Sequence, residues 1–204
     1  MNIIRYKTSK YIAIISMSLL LLSWGDSWDQ IRKTAKDITS VEAEFVQKKH
    51  MAILAKPLVS RGKLYFQVPR SLRWEYTSPV NSILLMHNGT VTRYIKKGDS
   101  VTKDSSARLQ SMQIVLQEIT MWMKGNFDAN PGFRPELRPG RVIVLTPKEK
   151  SMGEIIQRIE LKLSTRPGVI QSVRIYESEK SYTVIDFLNV KMNAKLPDSL
   201  FRAL

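Results

Sequence analysis

The sequence predicts a mostly β fold with a few helices (class α+β), in which one antiparallel sheet carries an apolar face. Three observations predict it. Apolar and polar residues alternate along residues 61–79, turn signals recur at short intervals, and residues 105–124 show helical periodicity. With 204 residues, the chain has the length of one domain of ordinary size, which is long enough to bury a core.

The alternation is clearest in two runs, residues 62–68 and 71–77, which meet across Pro69. Period-two spacing places the large apolar side chains of both runs on one face of a sheet and the polar ones on the other. An apolar face of this size must be covered by protein or by a bound apolar ligand. Its members are Leu64, Phe66, Val68, Leu72, Trp74 and Tyr76.

The N-terminal residues 1–25 have the layout of a secretory signal peptide. Three basic residues precede an apolar run at residues 11–22, and the small residues Ser23 and Gly25 follow it. The run is shorter than the roughly 20 residues that a membrane-spanning helix needs. We therefore expect export and cleavage, and an uncleaved N-terminal anchor is the alternative.

The chain is strongly basic, with a net charge of +14, and removal of residues 1–25 leaves +11. This excess fits a solvated basic surface, and it also fits attraction to an anionic membrane or an acidic partner, which we favour. Nucleic-acid binding is disfavoured, because the basic residues are spread along strands and the chain carries an export signal. The absence of cysteine excludes disulfides and thiolate metal sites.

The first predicted helix begins at Ser27, since Ser27 and Gln30 have the spacing of a capping box. Its apolar stripe consists of Trp28, Ile31, Ala35 and Ile38. The period then changes to two at residues 40–48, and the alternating face at residues 62–77 follows.

Tight-turn signals organise the next part of the chain. Residues 83–86 and 91–95 flank Asn88-Gly89, which is a strong signal for a turn between two strands. Residues 96–99 form a further turn signal. Residues 40–103 therefore predict an antiparallel meander.

Residues 105–124 break the strand pattern and predict an apolar helix that ends at Gly125. Methionine is flexible enough to pack against ligands of variable shape, and this helix contains three methionines. The alternative is an ordinary core helix lying on the sheet. The apolar stripe consists of Leu109, Met112, Leu116, Ile119 and Met123, widened by Val115 and Trp122.

Strand patterns resume towards the C-terminus, at residues 141–146, 158–164, 169–176 and 181–188. Their short turns are typical of an up-and-down antiparallel sheet. No linker or repeat divides the chain, so we expect a single domain over residues 26–204.

The residues do not nominate a catalytic or metal site. His50 and His87 have no ligand-spaced partner, and Glu160 and Asp186 lie in mid-strand positions that normally face solvent. Sequence motifs for nucleophilic catalysis, phosphate binding or zinc binding are not found in the sequence. We therefore expect no cofactor and no metal, and an enzyme is the weakest of the hypotheses.

Several short motifs, taken in order, resemble a known family. They are Phe45-Val46-Gln47-Lys48, the strand at residues 62–66, the run at residues 69–76, Asn88-Gly89, and an ending that contains Asp186-Phe187-Leu188-Asn189-Val190, Asn193, Leu196 and Phe201. In this order and spacing the chain resembles the periplasmic outer-membrane lipoprotein carrier family, LolA. The resemblance covers essentially all of the chain after residue 25.

The resemblance implies an unclosed antiparallel β half-barrel with a helical lid over its concave apolar face. It also implies a monomeric, non-enzymatic carrier that takes an acylated lipoprotein from an inner-membrane exporter to an outer-membrane receptor. A sensing or interaction domain on the same scaffold is the alternative function. The predicted lipid-contacting residues are Leu64, Phe66, Val68, Leu72, Trp74, Tyr76, Met112, Leu116, Ile119 and Met123.

The sequence departs from the family pattern at two places. Val68 occupies the position where the carriers usually hold an arginine that bonds to the lid, and Arg70 has the opposite parity. The sequence also ends at Leu204, so we expect it to lack the extended C-terminal segment of the carriers. The resemblance does not identify the cargo, which is a lipoprotein or another acylated lipid.

Overall fold

The computed structural model describes residues 27–69, 71–87, 90–104 and 108–202, and of residues 108–115 it describes the backbone alone. The predicted signal peptide, the predicted turn at Asn88-Gly89 and Arg70 lie outside the described residues.

The structure is built on one sheet of eleven strands in the order β6-β5-β4-β3-β2-β1-β11-β10-β9-β8-β7, and every pairing is antiparallel. Two meanders, β1–β6 and β7–β11, are joined by the pairing of β1 with β11, and β6 and β7 form the two edges. The predicted fold class, an unclosed antiparallel sheet with helices, is confirmed. The strands are β1 Ser40–His50, β2 Leu58–Gln67, β3 Ser71–Ser78, β4 Ser82–His87, β5 Thr90–Lys97, β6 Ser100–Asp104, β7 Phe133–Arg138, β8 Val142–Pro147, β9 Arg158–Leu163, β10 Ile170–Tyr176 and β11 Tyr182–Met192.

Three short helical segments accompany one long helix. They are α1 Trp28–Ala35, α3 Lys150–Gly153 and a C-terminal 3-10 helix, Asp198–Phe201, and the long helix is α2 Arg108–Met123. The predicted start of α1 is confirmed, because the Ser27 side chain accepts a hydrogen bond from the Gln30 backbone N–H at 3.2 Å. No helix within the described ranges is long and apolar enough to cross a membrane.

The residue that ends α2 is a glycine, and α1 packs closely against it. Gly125 has a φ of +73°, a left-handed conformation that glycine adopts without strain. A Cβ at this position would lie 2.5 Å from the Cβ of Ala35, so glycine also allows α1 to approach closely.

The inward-facing side chains of β1 change character along the strand. Val41, Ala43 and Phe45 are buried, whereas Gln47 and Lys49 are partly exposed. We call the end at Val41 the packed end and the end at Lys49 the open end. The fully buried residues of the packed part of the core include Leu64, Phe66, Leu72, Ile143 and Leu161.

The outer face of β3 and β4 is also covered, and this was not expected from the sequence. The 3-10 helix contacts both strands, and the Leu200 carbonyl accepts a hydrogen bond from Arg73 Nη1 at 3.2 Å. Arg73, which period two places on the polar face, is therefore only 8% exposed, and its Nε donates to Glu75 at 2.9 Å. Ile83, Leu85 and Tyr94 form a separate small apolar cluster.

The structure adds three elements that were not assigned from the sequence, namely β7, α3 and the 3-10 helix. Pro135 lies within β7, and charged residues occupy alternate positions around it, so the apolar pattern of a strand is weak there. As an edge strand, β7 tolerates a proline because one side of the strand needs no backbone partner.

Candidate apolar binding site

A cavity of about 370 Å³ lies between the concave face of the sheet and the segments that cover it. Its sheet wall comes from β1, β3, β4, β10 and β11, and its cover from α2 and from Ile155 and Ile156, which follow α3. Most of its wall is apolar. The lining residues are Gln47, Lys49, Trp74, Tyr76, Leu84, Leu116, Ile119, Ile155, Ile156, Ile175, Glu177, Thr183 and Ile185.

A cluster of aromatic rings separates this cavity from the packed end. The ring centroids of Phe45 and Trp74 are 4.5 Å apart, those of Phe45 and Tyr76 are 5.3 Å apart in an edge contact, and those of Trp74 and Phe187 are 6.1 Å apart. Edge-on contacts are among the favoured geometries for aromatic pairs, and we call this cluster the aromatic floor of the cavity.

Gly62 makes room for this floor. A Cβ on Gly62 would lie 1.9 Å from the carbonyl oxygen of Glu75 and 2.6 Å from the ring of Phe45. The pairing of β2 with β3 also shifts register at this point, between Arg61 and Gly62. Glycine is needed here because the Phe45 ring lies over the backbone of β2.

Polar groups gather where the cavity meets solvent. Lys49 Nζ and Glu177 Oε1 form an ion pair at 3.0 Å, and both side chains are more than a third exposed. The Tyr76 hydroxyl donates to Gln47 Oε1 at 2.9 Å, and burial raises the pKa of Tyr76. These groups mark the open end as the entrance of the cavity.

The cover formed by α2 is mostly apolar in its described part, but it also buries Thr120, whose hydroxyl donates to the Leu116 carbonyl, and Glu118. Leu116, Ile119, Trp122 and Met123 are buried against the core. Glu118 is also buried, at 3% exposure, and accepts a hydrogen bond from Asn130 Nδ2 in the loop that follows the helix. Burial raises the pKa of the Glu118 carboxyl, because water no longer solvates its charge.

Only some of the predicted site residues line the cavity. Trp74, Tyr76, Leu116 and Ile119 line the cavity. Val68 is half-buried at the margin of the core, and the side chain of Met112 lies outside the described residues. The other four, Leu64, Phe66, Leu72 and Met123, pack within the core and do not line the cavity. Ligand contact by any of the ten predicted residues stays a prediction.

Sequence analysis missed the part of the site that β10, β11 and the segment after α3 supply. Strands β10 and β11 were correctly assigned, and they contribute Ile175, Thr183 and Ile185 to the cavity wall. The alternation within one strand does not indicate which distant strands lie across the cavity from it. Arg93 is a charged neighbour of the site that does not line the cavity itself. It lies directly opposite the cavity-lining Leu84 in the β4–β5 register, on the same face, and pairs with Asp104 at 3.6 Å.

Both histidines contact neighbouring side chains on adjacent strands. The rings of His50 and Tyr182 stack with centroids 4.4 Å apart, and His87 Nδ1 lies 2.9 Å from the Ser71 hydroxyl. Within the described ranges no three side chains of the metal-ligating types His, Cys, Asp and Glu come together. The chemistry that this cavity offers is the burial of apolar surface.

A groove of about 420 Å³ lies on the outer face of β1, β2 and β11 and differs in character. It is lined by Val46, Lys48, Arg61 and Asp186 among others, and Val46 is the cross-strand partner of both Arg61 and Asp186. Because charged side chains line it, we take the inner cavity as the candidate site for an apolar ligand.

The fold and the cavity define a class of protein, the open antiparallel half-barrels that enclose apolar space beneath a helix. The family model described as outer membrane lipoprotein carrier protein LolA matches residues 36–203, and the chain therefore belongs to this family. This confirms the resemblance found in the sequence.

Curated relatives carry the same family description, and one solved structure is similar in fold. The chain is 26% identical over 194 residues to the outer-membrane lipoprotein carrier protein of Francisella tularensis subsp. tularensis (strain WY96-3418), covering 93% of this chain and 89% of that protein. It is 24% identical to the protein of the same description from Cronobacter sakazakii (strain ATCC BAA-894), covering 82% and 78% of the two chains. In fold it is similar to a chain of the Pseudomonas aeruginosa MucA/MucB complex, with a TM-score of 0.50, 14% identity, and coverage of 86% and 59%.

Proposed function

We propose that this protein is a periplasmic carrier that binds the acyl chains of lipoproteins, or of a related acylated lipid, and moves them from the inner to the outer membrane. The observation that carries the proposal is the cavity of about 370 Å³ between the apolar sheet face and α2. Family membership and the curated relatives described as outer-membrane lipoprotein carrier proteins support it. Carriers of this family bind their cargo without chemical change, which agrees with a site built for apolar contact.

The energetics of acyl chains require such a site. Burial of each methylene group is worth about 0.8 kcal/mol, so a long acyl chain does not leave a membrane for water unaided. A wall made of Trp74, Leu84, Ile175 and Ile185 replaces the lipid environment during transfer. The predicted site residues enter the proposal through Trp74, Tyr76, Leu116 and Ile119, which belong to the same wall.

We infer that α2 moves away from the sheet when a cargo with several acyl chains binds. About 370 Å³ is near the lower end of the roughly 300–1,000 Å³ that ligand pockets span. A cargo with several acyl chains therefore needs more space than the cavity offers, and displacement of α2 from the sheet provides it. The contacts of Leu116, Ile119 and Met123 with the core are apolar, so the ligand's own chains can replace them.

Filling the cavity tests the proposal. Thr183 is buried on β11 and lines the cavity, whereas the next residue, Val184, points to the opposite face of the sheet. We expect Thr183→Phe to weaken binding of a triacylated lipopeptide about tenfold or more, because the ring occupies space that an acyl chain needs. Val184→Phe is the matched control and is expected to bind as the parent protein does.

The measurement is a fluorescence titration with labelled lipopeptide, after circular dichroism has shown that both variants are folded. Mass spectrometry of the material that co-purifies with the parent protein identifies the natural cargo. Absence of binding by the parent protein, or equal affinity of the two variants, would reject this cavity as the site.

A further inference from the structure

Large apolar side chains that remain exposed are concentrated at the open end. Connections in an up-and-down antiparallel sheet alternate between its two ends, so those following β1, β3, β5, β8 and β10 share the open end. Ile53, Val80 and Ile155 lie in three of these connections and are 84%, 54% and 62% exposed. Together with their neighbours they form what we call the apolar rim: Ile53, Leu54, Leu58, Val80 and Ile155.

The apolar rim surrounds the entrance of the cavity. Ile155 lines the cavity and is exposed at the same time. Leu58 lies directly opposite Lys49 in the β1–β2 register, so both side chains are on the cavity face, and Lys49 lines the entrance. Leu58 is the first residue of β2 and adjoins the β1–β2 connection, whereas Val59, Val101 and Leu188, the remaining exposed large apolar residues of the described part, lie within strands.

The most exposed member of the rim is presented on an ordered turn. The Ala52 backbone N–H donates to Ser181 Oγ at 3.3 Å, and the Leu54 N–H donates to the Met51 carbonyl at 3.0 Å. At the base of the same turn, His50 stacks on Tyr182. Ile53 is therefore held out into solvent by structure on both sides. A fixed, exposed cluster of apolar groups around an entrance indicates a contact surface.

The charges beside the rim indicate what it contacts. Residues 45–74, which include the β1–β2 connection, contain no acidic residue. On the adjoining β10–β11 connection, the two acids are paired: Glu177 with Lys49 at 3.0 Å and Glu179 with Arg158 at 2.7 Å. The nearby Lys48, Lys56 and Lys180 take part in no ion pair within the described ranges. At the same end, Lys148 and Lys150 equal Glu149 and Glu154 in number, and Lys96 and Lys97 outnumber Asp99, so positive charge is in excess here.

We propose that the apolar rim docks the protein on an anionic phospholipid surface, with the entrance of the cavity facing the bilayer. Exposed apolar side chains on separate connections, with lysines between them, are typical of proteins that insert into the membrane interface. In such proteins the apolar groups enter the acyl boundary and the basic groups contact the headgroups. A deformable bilayer accommodates tips that lie on different connections. In this orientation, an acyl chain passes between membrane and cavity without crossing water.

Vesicle sedimentation of the purified protein tests the proposal. The parent protein is expected to bind vesicles of mixed phosphatidylglycerol and phosphatidylcholine, less so vesicles of phosphatidylcholine alone, and more weakly as salt is added. Ile53→Asp is expected to lower the partition coefficient about tenfold, because an apolar tip is lost and a negative charge gained. Lys56→Glu is expected to lower it to a similar extent.

Two matched controls carry the same changes away from the rim. Leu188→Asp replaces an exposed leucine on the outer face of β11, and Lys195→Glu replaces an exposed lysine beyond the packed end. Both are expected to bind vesicles as the parent does. Failure of the parent protein to bind anionic vesicles, or equal losses in rim and control variants, would overturn the proposal.

The test is independent of the proposed carrier function, since no cargo is present. Loss of lipopeptide binding in Thr183→Phe with unchanged vesicle binding would separate the cavity from the rim. If the parent protein binds vesicles but no lipopeptide, the docking proposal for the rim would be supported and the carrier function would be rejected.

Discussion

The packed end and the open end of the half-barrel use the same sheet face in opposite ways. At the packed end, Leu64 and Leu161 have no exposed surface, and α1 closes the core. At the open end, about 370 Å³ of space lies unfilled beside Ile175 and Ile185. The difference shows how one apolar face both stabilises a fold and keeps a site for a ligand: the stability comes from one half and the binding capacity from the other.

The largest expected effect is a difference in stability between the two ends. Leu161→Ala removes a fully buried side chain from the packed end and is expected to cost about 2–5 kcal/mol. Ile175→Ala removes a half-buried side chain that already borders empty space, and is expected to cost about 1 kcal/mol. Urea unfolding of both variants measures the difference, and equal losses would contradict the division into two ends.

A substitution at the boundary between the ends is expected to have the next largest effect. Gly62→Ala places a Cβ against the Glu75 carbonyl and the Phe45 ring, so the backbone or the ring must shift, at a cost of about 1–3 kcal/mol. Because the aromatic floor moves with the ring, lipopeptide affinity should fall as well. Gly98→Ala is the control, since a Cβ there meets no atom within 4 Å in the structure, although its left-handed φ adds some strain. An unchanged midpoint of unfolding for Gly62→Ala would show that the floor is not tightly held.

The smallest expected effect concerns the buried carboxyl of α2. Because burial raises the pKa of Glu118 in the folded protein, the folded state holds the proton more tightly than the unfolded state does. Stability is therefore lost as pH rises from the ordinary carboxyl range through the raised pKa. Glu118→Gln keeps an acceptor for Asn130 without the charge.

Glu118→Gln is expected to raise the melting temperature at pH 8 and to leave it nearly unchanged at pH 4, where both side chains are neutral. Scanning calorimetry at the two pH values measures this. Glu136→Gln, at an exposed position where Arg138 lowers the pKa of the carboxyl, serves as the control and is expected to show the opposite sign of pH dependence. A uniform shift of the Glu118→Gln melting temperature at both pH values would mean that the effect is not electrostatic.

Local pattern predicted much of this fold. The alternation of Leu64, Phe66, Leu72 and Trp74 correctly predicted one buried face, and Ser27 and Gly125 correctly predicted where α1 begins and α2 ends. These features depend on residues close together in the chain. The face was therefore predictable, and its division into a packed and an open half was not.

That division depends on contacts between distant residues. From the sequence alone, Lys49 is expected to be an ordinary surface lysine. In the structure it lies at the cavity entrance, where it is paired with Glu177, 128 residues away in the sequence. Arg73 reads as an exposed strand residue, and its burial follows from the 3-10 helix that begins at Asp198. The latch that Val68 was expected to lack stays a prediction, since the side chains of residues 108–115 are not described.

The pairing of β1 with β11 has a consequence for how the chain folds. Ser40 Oγ donates to the Ala194 carbonyl, a contact between residues 154 positions apart, and β1 is the central link between the two meanders. Long-range pairings of this kind slow folding, because a large loop must close before they contribute stability. The sheet is therefore completed only after residues 182–192 have been synthesised. Such a delay would suit the export that the pattern of residues 1–25 predicts, since the first strand cannot reach its final partner until the last strand exists.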